Sequence, residues 1–295
     1  MARIENKFSR SQSLTIVLIA YVLCIIGGYY SLNFFSEQHI VWQLFWADFV
    51  ATVIIFIFSY IFRNSSIYDP YWSVIPPFIA LFWMKIAPEE ANIYRQIVVL
   101  CLVTLWSVRL TLNWIRGWTG LDHEDWRYID IANKTGKLYW LVSFLGIHLM
   151  PTILVFLGCL PFYYTMISPE PLGLFDGIAT LVTLSAIAIE AISDEQLKSF
   201  KKKMGKGLFR SGIWAYSRHP NYFGEVTFWL GLFLFVLQTN YPDKWWMSIG
   251  FILMVLLFVF ISVPMMDKHH MIKRPGYSQY MEEVSAIVPL PPKRH

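Results

Sequence analysis

The sequence carries little charge for its length. Charged residues make up 15% of its 295 positions, whereas a soluble domain usually contains about 25%. Hydrophobic residues account for 56% of the chain and aromatic residues for 18%. The deficit of charge indicates lipid as the solvent and argues against a soluble protein. We therefore expect an all-α polytopic membrane protein.

Cysteine is scarce as well, and the three present are Cys24, Cys101 and Cys159. All three lie inside apolar runs, and none has the spacing of a metal site. The chain also lacks internal repeats, low-complexity segments and any stretch with the composition of a soluble domain. We interpret the cysteines as small core residues and expect a single membrane domain over residues 1–295, without a metal.

Long apolar runs are what the chain has instead. A helix needs roughly 20 mostly apolar residues to span a bilayer. The candidate runs are 14–34, 41–62, 72–87, 94–115, 138–165, 173–192, 222–240 and 245–264. Because the third is short and the fifth is long, we expect about eight membrane helices, within a range of seven to nine. The first run is long for a signal peptide and no cleavage site follows it, so we interpret it as the first membrane helix.

The charges between the runs are distributed unequally. If the N-terminus lies inside, the segments on the cytoplasmic side contain 20 of the 24 Lys and Arg residues. Cytoplasmic loops of membrane proteins collect these residues. We therefore expect both termini in the cytoplasm, together with the longest polar loops, 116–137 and 193–221. The endoplasmic reticulum, the mitochondrial inner membrane and a bacterial inner membrane fit this pattern equally.

Ionisable residues inside membrane runs are costly and indicate functional sites. In the fourth run, one helical face carries Trp106, Arg109, Asn113 and Arg116. We expect this face to point into the bundle and to meet an anionic or strongly polar partner. The alternative is that Arg116 extends to the membrane interface and Arg109 pairs with a carboxylate on another helix.

Acidic residues mark the end of the sixth run. Glu190, Asp194 and Lys198 are spaced by four residues, and like charges four apart on a helix repel each other. We expect the two carboxylates to act on a partner, with an Asp194–Lys198 pair at the interface as the alternative. The loop 193–221 contains seven Lys and Arg residues, which is typical of a flexible segment that binds anionic membrane lipids or a phosphate-rich cofactor. It lacks a nucleic-acid-binding fold, so we expect no nucleic-acid partner.

A polar stretch, Y-D-P-Y-W-S, occupies residues 68–73 at the start of the third run. Asp69 is a candidate N-cap, with Pro70 at the first helical position. Alternatively, Tyr68, Tyr71 and Trp72 form an aromatic belt at the membrane interface.

A second polar stretch, D-H-E-D-W-R-Y, occupies residues 122–128. His123, Glu124 and Asp125 are adjacent, and no second His/Glu pair at helical spacing accompanies them, which argues against a metal site. We expect this loop to fold back over the membrane mouth, with Glu124 or Asp125 paired to Arg116 or Arg127.

The most informative stretch is S-R-H-P-N-Y-F-G-E, residues 217–225, directly before the seventh run. Backbone amides at a helix N-terminus favour anions, and Arg218 can hold a phosphate in a two-pronged grip. His219, Asn221, Tyr222 and Glu225 add donors, acceptors and a stacking face. The position is cytoplasmic in the expected topology, where soluble cofactors are found.

The longer run G-I-W-A-Y-S-R-H-P-N-Y-F-G-E, residues 212–225, resembles the signature of the steroid 5α-reductase C-terminal superfamily. With Y-D-P-Y-W-S and E-D-W-R-Y, it is most similar to a branch catalogued as a domain of unknown function. The resemblance covers about residues 60–292, and the tail R-P-G-Y-S-Q-Y, followed by I-V-P, fits the superfamily ending. It implies a polytopic membrane reductase that binds NADPH in a cavity open to the cytoplasm.

The resemblance also implies which residues contact this cofactor. Asn113 and Arg116 resemble an Asn/Arg pair on the family's fourth helix, and Asp194 matches an Asp on the sixth. His269 falls on a cofactor-contacting His, and the N-x-x-G-E element is matched within the motif. The expected cofactor residues are Asn113, Arg116, Asp194, Lys198, Arg218, His219, Asn221, Tyr222, Glu225 and His269.

The catalytic residues transfer less directly. Classical steroid reductases use a Glu on an early helix and a Tyr three residues before an Arg, whereas here Trp106 stands three residues before Arg109. We expect Tyr71 or Tyr68, assisted by Asp69, to protonate an enolate oxygen while hydride goes to the β-carbon of a conjugated C=C–C=O unit. The expected substrate is a lipophilic molecule: sterol-like, polyprenyl or an enoyl lipid.

Two other functions stay open. The chain can be a lipid or prenyl methyltransferase that uses S-adenosylmethionine, because such enzymes share the R-H-P-x-Y element. Against this, residues 265–270, M-M-D-K-H-H, replace the E-E-x-x-L-like stretch that methyltransferases usually have. The chain can also be a non-catalytic subunit of a larger membrane complex, which Trp106 favours.

Overall fold

The computed structural model describes residues 8–205 and 207–293. These residues form helices and contain no β-strand. Within them, six helices are long and apolar enough to cross a membrane. The predicted all-α polytopic membrane protein is therefore confirmed. The count of eight spans and the cytoplasmic position of both termini stay predictions, and residues 1–7 and 294–295 lie outside the described residues.

The helices follow the predicted apolar runs closely. In chain order they are α1 Arg10–Ser31, α2 Ile40–Ile61, α3 Tyr71–Ile86, α4 Ile93–Gly117, α5 Trp126–Thr135, α6 Tyr139–Val142, α7 Met150–Cys159, α8 Pro161–Ile167, α9 Leu174–Met204, α10 Pro220–Val236, α11 Ile249–Leu257, α12 Val263–Lys273 and α13 Tyr277–Glu283. The third and seventh runs form α3 and α10, of 16 and 17 residues. Two stretches, Trp126–Ile167 and Lys244–Lys273, each form one candidate span built of several helical pieces.

The chain divides into two compact units. Unit 1 comprises Met1–Phe82 and Trp106–Phe156, and unit 2 comprises Trp83–Leu105 and Leu157–His295. Helix α4 contributes its first part to unit 2 and its part from Trp106 onward to unit 1. The single membrane domain stays a prediction.

Helix α9 is longer than its apolar run, 173–192, because it continues to Met204. At about 1.5 Å per residue, its 31 residues exceed the roughly 30 Å of a bilayer's hydrocarbon core. Its last turn carries Lys201, Lys202 and Lys203, and basic side chains at a helix C-terminus are favoured by the helix dipole. The prediction of a flexible loop from residue 193 onward is therefore wrong for residues up to 204.

Two spans contain π-helical turns, Ser143–Leu149 and Phe258–Ser262. Each turn is followed within two residues by a proline, Pro151 or Pro264, which has no backbone N–H for the carbonyl four residues earlier. The residue directly before each proline donates to the carbonyl five residues earlier instead. Such local adjustments keep the backbone groups of membrane helices satisfied.

The segment between α2 and α3 folds into unit 1. Its residues 64–68 are at most 1% exposed, and Tyr21, halfway along α1, donates from Oη to the carbonyl of Ile67 at 3.1 Å. Asn64 Nδ2 donates to the carbonyl of Leu121 at 2.8 Å. A segment between helices is stable inside a protein only where other parts of the chain pack against it and satisfy its polar groups. This segment meets both conditions.

Two interpretations of the Y-D-P-Y-W-S stretch therefore need correction. Tyr68 and Tyr71 are fully buried, so the interfacial aromatic belt is wrong. Helix α3 begins at Tyr71, and the carbonyl of Pro70 accepts from the N–H of Val74 at 3.0 Å. Pro70 thus takes the N-cap position by its backbone, one residue after the predicted cap, Asp69.

The loop before α5 follows its prediction in part. Arg127 makes a two-pronged ion pair with Asp125, with Nε–Oδ1 and Nη2–Oδ2 distances of 2.8 and 2.9 Å. Glu124 accepts from the backbone N–H of Ser65 and from the hydroxyl of Tyr139. The expected Asp125–Arg127 pair is confirmed, and Glu124 anchors the buried segment 64–68.

Unit 2 is held by close contact between α9 and α10. A Cβ placed on Gly231 would lie 2.2 Å from Thr183 Oγ1, and one on Gly224 would lie 2.3 Å from Glu190 Cγ and 3.0 Å from the carbonyl of Ala186. Small residues let helix backbones approach in membranes, where association depends on packing. Gly224 and Gly231 are seven residues apart and therefore lie on one face of α10.

A buried ion pair joins α4 to the start of α9 within unit 2. Arg95 is fully buried and donates to both carboxyl oxygens of Asp176, at 2.8 and 2.9 Å, and to the carbonyl of Pro171. Asp176 also accepts from the N–H of Gly173 and so caps its own helix. These contacts fix the connection between α8 and α9.

Candidate functional site

The S-R-H-P-N-Y motif of unit 2 is paired with the C-terminal tail. The backbone N–H groups of Arg218 and His219 donate to the carbonyls of Ser285 and Ala286, at 2.9 and 3.1 Å. The hydroxyl of Ser217 adds a bond to the carbonyl of Ile287 at 2.7 Å. The motif and the tail ending I-V-P, which are about 70 residues apart in sequence, thus form one structure at the start of α10.

Asp267 on α12 is the centre of this structure. Its carboxylate accepts from Arg218 Nη2 at 2.7 Å, from Tyr277 Oη at 2.5 Å and bonds His219 Nε2 at 3.0 Å. Burial, together with the bond to Asp267, raises the pKa of Tyr277 above its usual value, so this hydroxyl remains a donor. One buried carboxylate therefore fixes three side chains of the motif and the tail.

Arg218 has most of its donors committed to the protein. Besides Asp267, it donates through Nη1 to the carbonyls of Val284 and Met281, at 2.7 and 3.1 Å. A two-pronged grip on a phosphate would require some of these bonds to break. The geometry gives Arg218 a structural task, and its contact with a cofactor stays a prediction.

A cavity of about 130 Å³ lies beside this cluster in unit 2. Aromatic and aliphatic side chains line part of it, including Phe209, Trp214 and Tyr280. Its cationic and polar lining residues are Lys201, Arg218, His219, Asn221, Tyr222, His270 and Arg274. Burial lowers the pKa of Arg274, a cost that an anion in the cavity would offset. The lining is therefore chemically suited to a negatively charged group.

The size of the cavity limits what it can hold. Pockets for whole cofactors and drug-sized ligands measure roughly 300–1,000 Å³, which is larger than the 130 Å³ of this cavity. A phosphate group fits both its volume and its charge, whereas a complete dinucleotide exceeds it. The residues that line this cavity therefore fit the phosphate-bearing part of NADPH, and the rest of the molecule would extend beyond the cavity.

Unit 1 contains a separate buried polar cluster around Tyr71. Tyr71 Oη donates to Asp48 Oδ1 at 2.6 Å and accepts from Thr52 Oγ1 at 3.2 Å. Thr52 is bonded to Thr152 at 2.8 Å, and Thr152 to Tyr68 Oη at 2.8 Å. These five residues come from α2, α3, α7 and the segment before α3, and each is at most 5% exposed. Two of the three expected catalytic residues, Tyr68 and Tyr71, thus belong to one hydrogen-bonded chain.

Asp69, the third expected catalytic residue, has a different partner. Its Oδ1 accepts from Tyr128 Oη at 2.6 Å. Burial raises the pKa of the Asp69 carboxyl to about 7, and the Tyr128 bond opposes that rise. The carboxylate that Tyr71 contacts is Asp48, so the expected assistance of Tyr71 by Asp69 does not appear in the geometry.

The structure divides the expected cofactor residues into three groups. Those that line the cavity are Arg218, His219, Asn221 and Tyr222. Those in unit 2 that are not among its lining residues are Asp194, Lys198, Glu225 and His269. Asn113 and Arg116 belong to unit 1.

Individual positions differ from what the sequence led us to expect. On α4, Trp106 is fully buried but Asn113 and Arg116 are exposed, so their predicted interior position is wrong. The neighbour of His269, His270, lines the cavity instead. Glu225 is buried and accepts from Trp229 Nε1, one turn further along α10, at 2.9 Å.

Sequence reasoning missed two carboxylates. Asp48 lies inside the second apolar run, where the rule that intramembrane charges indicate function applies as it does in the fourth run. Asp267 follows the eighth run and lies 49 residues after Arg218 and 48 after His219. The composition of its surroundings gives no signal for that pairing.

The geometry defines an integral membrane protein with a cationic cavity in one unit and a buried Asp–Tyr cluster in the other. The chain belongs to the DUF1295 family, described as a protein of unknown function, whose model matches residues 55–284. Among curated proteins, "Uncharacterized protein C594.04c" of Schizosaccharomyces pombe is 24% identical over 252 residues, covering 77% of this chain and 73% of the relative. No solved structure matches the chain.

Proposed function

We propose that the protein is a membrane-embedded, NADPH-dependent reductase of a conjugated C=C bond in a lipophilic substrate, such as a sterol-like, polyprenyl or enoyl lipid. The observation that carries this proposal is the cationic cavity of unit 2, whose lining includes Lys201, Arg274 and the motif residues Asn221 and Tyr222. The resemblance of the same motif to the steroid 5α-reductase superfamily supports it. NADPH would supply the hydride.

The charge of the cavity favours this cofactor over a methyl donor. NADPH carries several phosphate charges, whereas S-adenosylmethionine has a net positive charge because of its sulfonium and ammonium groups. Lys201 and Arg274 line the cavity and lie close enough for their charges to interact. With the amide of Asn221, they would hold a phosphate of NADPH by charge-assisted hydrogen bonds.

The Asp48–Tyr71 pair would supply the proton that the reaction needs. Reduction of an enone needs a donor at the carbonyl oxygen, where negative charge develops. Of the expected catalytic tyrosines, Tyr71 is the one whose hydroxyl donates to a buried carboxylate, that of Asp48, at 2.6 Å. We assign the role of general acid to Tyr71, and the assisting role that was expected of Asp69 to Asp48.

Binding of NADPH to the purified full-length protein tests the proposal. We expect Lys201→Gln and Arg274→Gln each to weaken binding roughly 10-fold, the contribution of one hydrogen bond to a charged group. Lys268→Gln is the matched control, because Lys268 is exposed on α12 and does not line the cavity. Turnover is then assayed with a 4-en-3-one sterol, a polyprenyl enone and an enoyl lipid.

Binding of S-adenosylmethionine without binding of NADPH would support a methyltransferase in place of the reductase.

A second candidate, a non-catalytic membrane subunit, is favoured by Trp106, which is fully buried at the position where the classical reductases have a tyrosine. Stable co-purification with a larger complex, together with no turnover of the three enones, would support that candidate.

A further inference from the structure

The buried cluster of unit 1 is a chain of five residues with a defined direction. The hydroxyl of Tyr71 donates a hydrogen bond to Asp48 Oδ1, and the hydroxyl of Thr52 donates a hydrogen bond to Tyr71 Oη. A threonine hydroxyl has one proton, so Thr152 must be the donor in its 2.8 Å bond to Thr52. By the same count, Tyr68 must donate to Thr152. Every donor in the chain therefore points from Tyr68 toward Asp48.

The geometry of the chain suits proton transfer. Its oxygen–oxygen distances are 2.8, 2.8, 3.2 and 2.6 Å from Tyr68 to Asp48. Low local dielectric strengthens such bonds and lets them polarise one another. Asp48 and Thr52 are one helical turn apart on α2, which fixes their spacing. The second carboxyl oxygen of Asp48 is buried without a hydrogen-bond partner among the described residues, so the chain ends there.

We propose that Tyr68 is the proton reserve of Tyr71, and that Thr152 and Thr52 carry the proton between the two phenols. The use of this relay in catalysis rests on the proposed function. The hydrogen-bonded coupling of Tyr68 to Asp48 is a property of unit 1 and does not depend on any substrate.

The transfer balances as a shift of one proton per bond. When the Tyr71 O–H bond breaks and an O–H bond forms on an enolate oxygen, the proton of Thr52 moves to Tyr71. The proton of Thr152 moves to Thr52, and that of Tyr68 moves to Thr152. One proton leaves the chain, the negative charge of the enolate ends on the Tyr68 oxygen, and no group is oxidised or reduced.

The relay is useful because it removes the negative charge that proton donation leaves on Tyr71. An anion left on Tyr71 would lie against Asp48, and two like charges in contact are costly in a buried site. The relay moves that charge to Tyr68, whose ring packs on His148 with a centroid distance of 4.8 Å. We expect Thr52 and Thr152 to act as positioning residues and Tyr68 as a second proton donor.

Carbon-13 spectroscopy of tyrosine tests the coupling without substrate or cofactor. The full chain, labelled at tyrosine Cζ, is placed in lipid nanodiscs, and Tyr68→Phe assigns the Tyr68 signal. We expect Asp48→Asn to shift the Tyr68 signal in the otherwise native chain, and to leave it unmoved when Thr152→Val has cut the chain. Thr180→Val is the matched control, because its hydroxyl bonds a carbonyl of its own helix in unit 2 and its removal should preserve the shift.

An equal response of the Tyr68 signal to Asp48→Asn with and without Thr152→Val would overturn the proposal. The second measurement uses a preparation that binds NADPH and reduces an enone. There, Thr152→Val should lower kcat at least about 10-fold, part of the ~10²–10⁴-fold that general acids contribute, while KM and NADPH affinity stay within about twofold. Unchanged kcat would also overturn it, whereas absent NADPH binding would refute the proposed function and leave the spectroscopic cycle decisive.

Discussion

Asp48 and Asp69 are 21 positions apart and both contact a tyrosine hydroxyl at 2.6 Å, yet they face different surroundings. Asp48 is buried inside α2, while Asp69 lies between α2 and α3 and is half-buried. For Asp69, the balance of burial against the Tyr128 bond raises the pKa of the carboxyl to about 7. That shift has a consequence for stability.

The first prediction concerns the pH dependence of Asp69. A carboxyl whose pKa is raised on folding holds a proton in the folded state that it loses in the unfolded state, so its contribution to stability falls as pH rises from about 4 to about 7. Asn has no proton to lose and can still accept from Tyr128. We expect Asp69→Asn to raise the unfolding midpoint relative to the native chain more at pH 8 than at pH 5, by about 2–4 °C, or roughly 1 kcal/mol.

Thermal unfolding in detergent at the two pH values measures this difference. Asp243→Asn is the control, because Asp243 is exposed and outside the cluster, and its midpoint difference should be the same at both pH values. A midpoint difference for Asp69→Asn that does not change with pH would show that the carboxyl is ionised throughout the range.

Sequence reasoning found the correct partner where the two residues lie close together in the sequence. The Asp125–Arg127 pair is two residues apart, and it is one of the pairings expected when Glu124 or Asp125 was matched with Arg116 or Arg127. The partners of Tyr71 and Arg218 are not local, since Asp48 is 23 residues from Tyr71 and Asp267 is 49 residues from Arg218. Side-chain chemistry restricts such partners to a carboxylate, but only the fold selects which one.

Among the helices, the α9–α10 contact shows how packing and stability depend on single small residues. Gly224 and Gly231 let α10 approach Glu190 and Thr183 on α9. In lipid, this approach replaces the hydrophobic driving force that a soluble core would have. The cavity lining uses Lys201 from α9 and Asn221 from the first turn of α10, so the same contact also sets the positions of two candidate ligand residues.

The second prediction is that Gly231→Ala destabilises the protein by about 1–3 kcal/mol, the usual cost of overpacking. Its Cβ would lie 2.2 Å from Thr183 Oγ1 and 3.1 Å from the backbone nitrogen of the same residue. Gly177→Ala is the matched control, because no atom lies within 4 Å of the added Cβ and Ala is the better helix former by about 1 kcal/mol.

Unfolding in denaturing detergent, followed by circular dichroism, compares the two variants. We expect Gly231→Ala to unfold first and Gly177→Ala to match or exceed the native chain. The double change Gly231→Ala with Thr183→Ala should recover part of the loss, since it removes the nearest atom. Equal midpoints for the two single variants would mean that α9 and α10 can separate without cost.

Helix ends and irregular turns followed the sequence less closely than helix cores. Apolar runs predicted the cores because about 20 apolar residues in a row have few other solutions. The apolar run that predicted α9 ends at Ile192. The helix itself continues through Lys201 to Met204, because Lys and Glu are good helix formers outside the bilayer. The π-helical turns before Pro151 and Pro264 depend on how each chain bends around a missing N–H, which composition does not record.

For the whole molecule, hydropathy and charge were sufficient to predict the fold class. They were not sufficient to predict that the segment 64–68 is buried. The expected topology counts residues 63–71 among the segments on the cytoplasmic side, which gives no indication that residues 64–68 are buried in the protein. Its burial depends on bonds to α1 and to the loop before α5, which appear only when unit 1 is assembled. The side of the membrane on which each loop lies rests on the charge asymmetry, and it is open to a direct test.

The third prediction is that the loop after α1 and the segment before α10 lie on opposite sides of the membrane. Five predicted runs separate Glu37 from Ser211, namely 41–62, 72–87, 94–115, 138–165 and 173–192, and both residues are exposed. This odd number of crossings counts the run of α3, which has 16 residues; without it, the two residues would lie on the same side. In cells of a bacterial expression host, with Cys24, Cys101 and Cys159 replaced by Ala, a membrane-impermeant maleimide should label Glu37→Cys in intact cells. It should label Ser211→Cys only after permeabilisation, since the Lys- and Arg-rich segments are retained inside. Labelling of both residues in intact cells would mean that the chain crosses the membrane an even number of times between them. Lys201 and Arg218, and with them the cationic cavity, would then lie outside the compartment that holds NADPH.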